Sequence, residues 1–270
     1  MLARRDVILR LIGVSLPLAV PGLLRAQGAT PVASALSPVE AINTAGQQRM
    51  LSQRCAKAWL MLALGVLPDR AARWLDASIA RFDAQLLELA TLQPSAELQT
   101  LLVQQASDWR GYRDALGQPP GKAAAAEVFA RNEAVLRVTH ATTQAYERLA
   151  GSPVGRLINV SGRQRMLSQR MAKFAYFSRY GVESQRAGEG LRVARGEFVR
   201  ALKILNTAPE NSPRIHDALA LAGQQWFFFE DALAQGNHPH ALQTIATTSE
   251  RMLEQLDLVV RLYEGLSPAS

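Results

Sequence analysis

One segment of 16 residues occurs twice in this chain. Residues 42–57 read INTAGQQRMLSQRCAK and residues 158–173 read INVSGRQRMLSQRMAK, so 12 of the 16 positions are identical. The offset of 116 residues is too long for one unit of a solenoid and fits a small domain. The chain of 270 residues is therefore predicted to contain two tandem copies of one domain.

Proline and glycine breaks divide each copy into four helical segments, and no strand pattern is present. The predicted helices cover residues 38–66, 68–92, 94–116 and 122–149 in the first copy, and 153–180, 183–207, 212–235 and 239–266 in the second. Later landmarks such as Trp109 and Trp226 repeat at an offset of 117. Because short loops favour antiparallel neighbours, we predict an all-α fold of two tandem antiparallel four-helix bundles, at residues 36–151 and 152–270, arranged as a pseudo-dimer.

The first 35 residues are typical of an export signal peptide. Basic residues precede an apolar stretch at residues 11–24, which is too short to span a bilayer comfortably, and residues 33–35 form an A-x-A cleavage site. The pair Arg4 and Arg5 resembles a twin-arginine signal, although the general secretory route stays open. We predict a periplasmic protein that is not an integral membrane protein after signal removal.

Composition argues against several classes of function. The net charge of +7 falls to about +4 without the signal, and no basic face with interleaved aromatics is visible, so no nucleic-acid partner is expected. The single cysteine, Cys55, aligns with Met171 and is predicted to be a core residue. No metal, no cofactor and no enzyme activity are predicted, because no metal-ligand cluster, cofactor motif or nucleophile–base pair is apparent.

On a helix, the repeated segment places glycine, arginine and glutamine in the middle of an apolar stripe about 80° wide. The stripe comprises Ile42, Gly46, Arg49, Gln53, Ala56 and Leu60 in the first copy, and Ile158, Gly162, Arg165, Gln169 and Ala172 in the second. Glycine inside a helix costs about 1 kcal/mol relative to alanine. Its presence in both copies therefore indicates close approach of another backbone or a ligand.

A buried arginine requires a partner, and the repeated helices contain no acidic residue between residues 41 and 64 or between 157 and 182. A planar guanidinium fits a small planar oxyanion, so Arg49 and Arg165 are candidate ligand-binding residues. A carboxylate from another helix, such as Asp83 or Glu88, is the alternative partner. Asn43 and Asn159 either fix helix ends or line the site.

The other cations and hydroxyls of the segment have simpler interpretations. Arg54, Lys57 and their counterparts Arg170 and Lys173 are expected on solvated faces or in salt bridges with other helices. Ser52 and Ser168 are expected to hydrogen-bond to the preceding turn, and Met50 and Met166 to lie in the core.

The pattern I-N-x-x-G-x-x-R-M-x-S-x-R resembles the sensor domain of the nitrate/nitrite sensor kinases NarX and NarQ, and more closely the PilJ-type sensor domain of type IV pili chemotaxis transducers. The resemblance implies a four-helix bundle in which the arginine binds nitrate or a similar anion at a dimer interface, beside the glycine. Carried over by position, these residues are Arg49, Arg165, Gly46 and Gly162. Unlike those relatives, this chain has no predicted kinase or methyl-accepting region.

We therefore expect a periplasmic anion-sensing protein that binds nitrate or nitrite and signals through a membrane sensor or transporter partner. The candidate ligand-binding residues are Arg49, Arg165, Gly46, Gly162, Asn43, Asn159, Gln53 and Gln169. The alternative is a ligand-free helical adaptor or docking protein for a pilus or chemoreceptor assembly. Because the segment between the copies is short, Arg49 and Arg165 are expected to meet across a pseudo-two-fold axis as halves of one site.

Overall fold

The computed structural model of the chain describes residues 36–92, 95–235 and 240–266, and in those ranges it contains eight α-helices and no strand. The helices are α1 (Pro38–Ala63), α2 (Pro68–Ala90), α3 (Ala96–Leu116), α4 (Lys122–Ala150), α5 (Pro153–Tyr180), α6 (Ser184–Asn206), α7 (Pro213–Ala234) and α8 (Ala241–Glu264). The predicted all-α fold is confirmed. The predicted export segment lies outside the described residues.

Helix ends follow the local sequence signals. At the start of α1, Ser37 and Glu40 form a reciprocal capping box, in which the Glu40 N–H donates to Ser37 Oγ at 3.3 Å and the Ser37 N–H donates to Glu40 Oε2 at 2.8 Å. Gly151 follows α4 in the left-handed region with φ 57°, and Ser152 then caps α5. Two residues therefore suffice to reverse the chain between the copies.

The helices pack in the same arrangement in both copies. In the first copy α1 contacts α2 and α4, and α3 packs on α4; in the second copy α5 contacts α6 and α8, and α7 packs on α8. The two copies meet mainly through α1 and α5, which lie side by side. This arrangement is the predicted pseudo-dimer, with α1 and α5 as its central helices.

Because α1 and α5 have neighbours on several sides, their buried surface is much wider than the predicted stripe. Met50, Leu51 and Cys55 are buried together with the stripe residues, and Met166 and Met171 are buried likewise on α5. The core assignments of Cys55 and both methionines are confirmed. A stripe describes a helix at the edge of a core, whereas these helices lie at the centre of one.

Two apolar clusters form the core, one at each end of the bundle. One cluster is centred on the half of α1 from Met50 to Met61, and the other on Ala41, Ile42 and Ala45 near the start of α1. Arg49 lies between the two clusters along α1. None of the helices in the described ranges is long and apolar enough to cross a membrane.

Candidate functional site

The guanidinium groups of Arg49 and Arg165 lie beside the two motif glycines, where the copies meet. A Cβ placed on Gly46 would lie 3.3 Å from Nη2 of Arg49 and 3.9 Å from Nη2 of Arg165. A Cβ placed on Gly162 would lie 3.3 Å from Nη2 of Arg165 and 3.7 Å from Nη2 of Arg49. The two guanidinium groups therefore lie next to each other between α1 and α5. Because the glycines have no side chain, the guanidinium groups can occupy this space.

Each arginine reaches across to an asparagine of the other copy. Arg49 Nη2 donates to Asn159 Oδ1 at 2.7 Å, and Arg165 Nη2 donates to Asn43 Oδ1 at 2.6 Å. The asparagine amides donate in turn to carboxylates, Asn159 to Glu147 and Asn43 to Glu264. The two chains of hydrogen bonds are related to each other by the pseudo-two-fold axis. The asparagines therefore line the site and do not serve as helix caps.

The arginine contacts lose this symmetry at His140 on α4 and Asp257 on α8, which correspond at the offset of 117. Arg165 Nη1 donates to Asp257 Oδ1 at 2.7 Å. Arg49 Nη1 instead lies 3.3 Å from His140 Nδ1. Within the described part of the chain, Arg165 has a carboxylate partner and Arg49 has none.

Burial and neighbouring cations determine the charges at the Arg49 side. Burial, together with the charges of Arg163 and Arg165, lowers the pKa of Arg49 to about 9. Burial and the charges of Arg49 and Arg163 lower the pKa of His140 to about 4. At neutral pH the Arg49 guanidinium is therefore charged and the His140 imidazole is neutral.

Both guanidinium groups retain unused donors. Nε of Arg49 and Nε of Arg165 are buried, and neither has a hydrogen-bond partner among the residues that the structure describes. Two clefts are lined by residues that contact the arginine pair. One of about 460 Å³ is lined by residues including His140 and Arg163, and one of about 320 Å³ is lined by residues including Arg165 and Asp257.

Gln53 and Gln169 do not join the arginine pair, although both were predicted to belong to the site. Each lies one helical turn further along, where Gln53 Nε2 donates to Ser52 Oγ at 3.1 Å and Gln169 Nε2 donates to the Ser249 carbonyl at 3.0 Å. The predicted back-bonding of the serines is confirmed for Ser52 and for its counterpart, whose hydroxyls donate to the carbonyl three residues earlier. Six of the eight predicted site residues therefore converge.

Further along α1 from Arg49, a first ion cluster is formed by Arg54 and Lys57 of α1 with Glu250 of α8. Arg54 Nη2 lies 2.5 Å from Glu250 Oε2, and Lys57 Nζ lies 2.6 Å from Glu250 Oε1. The Lys57 side chain has no exposed surface, and Ser249 Oγ accepts a second hydrogen bond from it. This cluster joins the first copy to the second.

A second ion cluster is its pseudo-symmetric equivalent, with Arg170 and Lys173 of α5 on Glu133 of α4 at 2.8 and 2.7 Å. The salt-bridge interpretation of these cations is confirmed and the solvated-face interpretation is wrong. The repeated helices contain no acidic residue of their own between residues 41 and 64 or between 157 and 182, and the carboxylates of the two clusters come from α4 and α8. Asp83, named as an alternative partner of the motif arginines, instead accepts from Trp109 Nε1 at 2.7 Å.

An aromatic ring lies beside the cations of each ion cluster, but the ring comes from a different helix in each copy. Lys57 Nζ lies 5.1 Å from the ring centroid of Trp74 on α2. Lys173 Nζ lies 4.2 Å from the ring centroid of Phe174 on α5. Both contacts are within the range of cation–π interactions. The same contact is thus made by two different sequence positions.

The position that holds the ring in one copy holds a small residue in the other. Ala58 occupies the place of Phe174 in the first copy, and Gly190 occupies the place of Trp74 in the second. A Cβ on Gly190 would lie 2.5 Å from two atoms of the Phe174 ring. Gly190 therefore makes room for the ring, and the two positions depend on each other.

We expect Gly190→Ala to lower the free energy of unfolding by about 1–3 kcal/mol, because the buried Phe174 ring must move. Gly188→Ala on the same helix is the matched control. It adds the same methyl group in open space and is expected to raise the free energy of unfolding by up to about 1 kcal/mol through helix propensity. Urea unfolding of both variants measures the difference, and equal effects would contradict the packing account.

Several residues of the site were missed in the sequence, namely His140, Asp257, Glu147, Glu264, Glu133 and Glu250. All six lie on α4 or α8, far from the repeated segment. They form three pairs at the offset of 117. Aligning the last helices of the two copies could have identified them as matched positions facing α1 and α5.

The described part of the chain thus consists of two fused helical bundles with a buried arginine pair at their shared interface. The family model described as type IV pili methyl-accepting chemotaxis transducer N-term, PilJ, matches residues 32–143 and again residues 152–257. The chain therefore belongs to the PilJ family and contains two tandem copies of this sensory domain. Searches of curated proteins and of solved structures found no match to the chain.

Proposed function

We propose that the protein is a periplasmic sensor that binds a small planar oxyanion, nitrate or nitrite, at Arg49 and Arg165 and signals through a membrane sensor or transporter partner. The observation that carries this proposal is the buried arginine pair, whose two Nε donors have no partner in the described ranges. An oxyanion beside the pair accepts hydrogen bonds from a guanidinium group and reduces the repulsion between two adjacent cations. We propose a binding role and not a catalytic one.

A second candidate function is a ligand-free adaptor that docks onto a pilus or chemoreceptor assembly. The salt bridge between Arg165 and Asp257 favours it, because a protein carboxylate already satisfies one of the two arginines. The candidates differ in what they predict for Arg49. An adaptor does not require an anion at that residue, whereas a sensor does.

Thermal unfolding of the purified protein with nitrate, nitrite, sulfate or chloride tests the proposal. A ligand at a hundred times its dissociation constant stabilises the folded state by about 2.7 kcal/mol, which corresponds to a rise in Tm of roughly 5–10 °C for a chain of this size. We expect nitrate or nitrite to produce this rise. The absence of a response to all four anions would exclude the sensor.

Arg49→Ala is expected to weaken anion binding by about ten- to a hundredfold, because charge-assisted hydrogen bonds contribute about 1.5–3 kcal/mol each. Arg148→Ala is the matched control, since it removes the same charge from an exposed pair with Glu97. Isothermal calorimetry measures both affinities, and melting without anion checks that each variant folds. Equal affinities in the two variants would assign the anion to another place.

A further inference from the structure

The two arginines of the pair differ in whether the protein itself supplies an anionic partner. Asp257 places a carboxylate oxygen 2.7 Å from Arg165 Nη1. Because this carboxylate is tethered to α8, an external anion must displace it to reach the same guanidinium edge. The Asp257 side chain thus acts as a permanent counter-anion on the Arg165 side.

On the opposite side, His140 leaves Arg49 without a carboxylate partner, whereas Arg163 pairs with Glu197 through its other terminal nitrogen, Nη2, at 2.7 Å and keeps only its Nη1 for the His140 ring. The Nδ1 of His140 lies 3.3 Å from Arg49 Nη1, and its Nε2 lies 3.4 Å from Arg163 Nη1. A neutral imidazole has one N–H and one acceptor nitrogen. In one of the two contacts, the imidazole N–H therefore faces a guanidinium N–H, and two donors cannot form a hydrogen bond. Arg163 corresponds to Gln47 in the first copy, so the other half contains no second arginine at this position.

The group that this half lacks is one with two acceptors in the positions of the two ring nitrogens. In imidazole, two nitrogens are joined through one trigonal atom, and in nitrate, nitrite or a carboxylate two oxygens are joined in a comparable way through one atom. Such an anion accepts from both arginines at once, which neutral imidazole cannot do. In the second copy, a carboxylate already occupies the corresponding position.

We infer that the protein binds a single planar oxyanion, on the Arg49 side, in the place of the His140 ring between Arg49 and Arg163, while Asp257 serves as the built-in anion of the Arg165 side. This inference rests on the proposed function and specifies which half of the site takes the ligand. The cleft of about 460 Å³, lined by His140 and Arg163, provides the entry path and the space for the displaced ring. Anion binding would then move a side chain of α4 away from α1 and α5.

His140→Asp is the decisive variant, because it copies the residue of the second copy into the first. We expect it to weaken nitrate binding by at least about tenfold and to raise the Tm of the anion-free protein, since the new carboxylate pairs with Arg49 and Arg163. Calorimetry with sodium nitrate and melting without it measure both effects. A His140→Asp protein that binds nitrate as tightly as the unaltered protein would overturn the inference alone.

Two further variants keep the test independent of that one substitution. Arg163→Gln, which introduces the residue type of Gln47, is expected to weaken nitrate binding by at least about tenfold. Asp257→Asn is expected to retain the first binding event and to add a second equivalent of nitrate at Arg165. Loss of nitrate binding in Asp257→Asn, with Arg163→Gln unaffected, would place the anion on the opposite side. An unaltered protein that binds no anion would overturn the proposed function and the inference together.

Discussion

Glu250→Gln is expected to lower the free energy of unfolding by about 3–5 kcal/mol, because it leaves the buried Lys57 ammonium without its counter-charge. The Lys57 side chain has no exposed surface and Glu250 is its ion-pair partner. Replacing the carboxylate by an amide preserves the shape and some hydrogen bonding but removes the negative charge. Urea unfolding at neutral pH measures the loss.

Two comparisons distinguish this effect from a general sensitivity to lost charge. Glu133→Gln removes the equivalent carboxylate of the second ion cluster, so a loss of similar size is expected there. Glu97→Gln breaks the pair with Arg148, in which both side chains are more than half exposed, and the expected loss is at most about 1 kcal/mol. A loss in Glu250→Gln no greater than that in Glu97→Gln would show that the ion clusters do not hold the copies together.

Acidification is expected to destabilise the protein in a defined window for the same reason. Burial alone raises the pKa of Glu133 and Glu250, but the adjacent lysine and arginine charges more than offset it and lower the pKa of each to about 2 from 4.5. The folded state therefore binds fewer protons than the unfolded state between these values. The resulting stabilisation is present above pH 4.5 and is lost as the pH falls towards 2.

Each glutamate is expected to contribute about 3 kcal/mol to this loss, since each tenfold difference in proton affinity corresponds to about 1.4 kcal/mol. His140 acts in the same direction at higher pH, because its pKa is lowered from 6.5 to about 4 and its protonation in that range favours the unfolded state. Urea unfolding at intervals from pH 7 to pH 2 measures the profile. The double variant Glu133→Gln, Glu250→Gln is the control. A free energy of unfolding that falls below pH 4.5 as steeply in this variant as in the unaltered protein would contradict the assignment.

The sequence allowed the helices to be predicted because their ends carry explicit signals. The capping box at Ser37 and Glu40 and the break at Gly151 and Ser152 lie where the structure has them. The meeting of Arg49 with Arg165 followed from the short segment between the copies and from the resemblance to domains in which the arginine lies at a dimer interface. Local signals are therefore sufficient for the helices, whereas the centre of the site also required that resemblance.

The partners of the arginines could not be predicted in the same way. The spacing of residues on α1 determines which side chains share a face, but not which residues of α4 or α8 lie opposite that face. The sequence therefore does not identify Glu250 and Asp257 as partners, and the carboxylates offered as alternatives, Asp83 and Glu88, belong to α2. The difference between His140 and Asp257 was visible at the offset of 117, but its meaning required the distances to Arg49 and Arg165.

The short connection between α4 and α5 has a consequence for how the protein responds to concentration. Gly151 and Ser152 tether the two copies, so α1 and α5 face each other at a high effective concentration in every molecule. An interface between separate subunits is lost on dilution, whereas this interface is retained at any expression level. The fraction of molecules with an intact interface is therefore independent of protein abundance, and only the ligand concentration determines occupancy of a site located there.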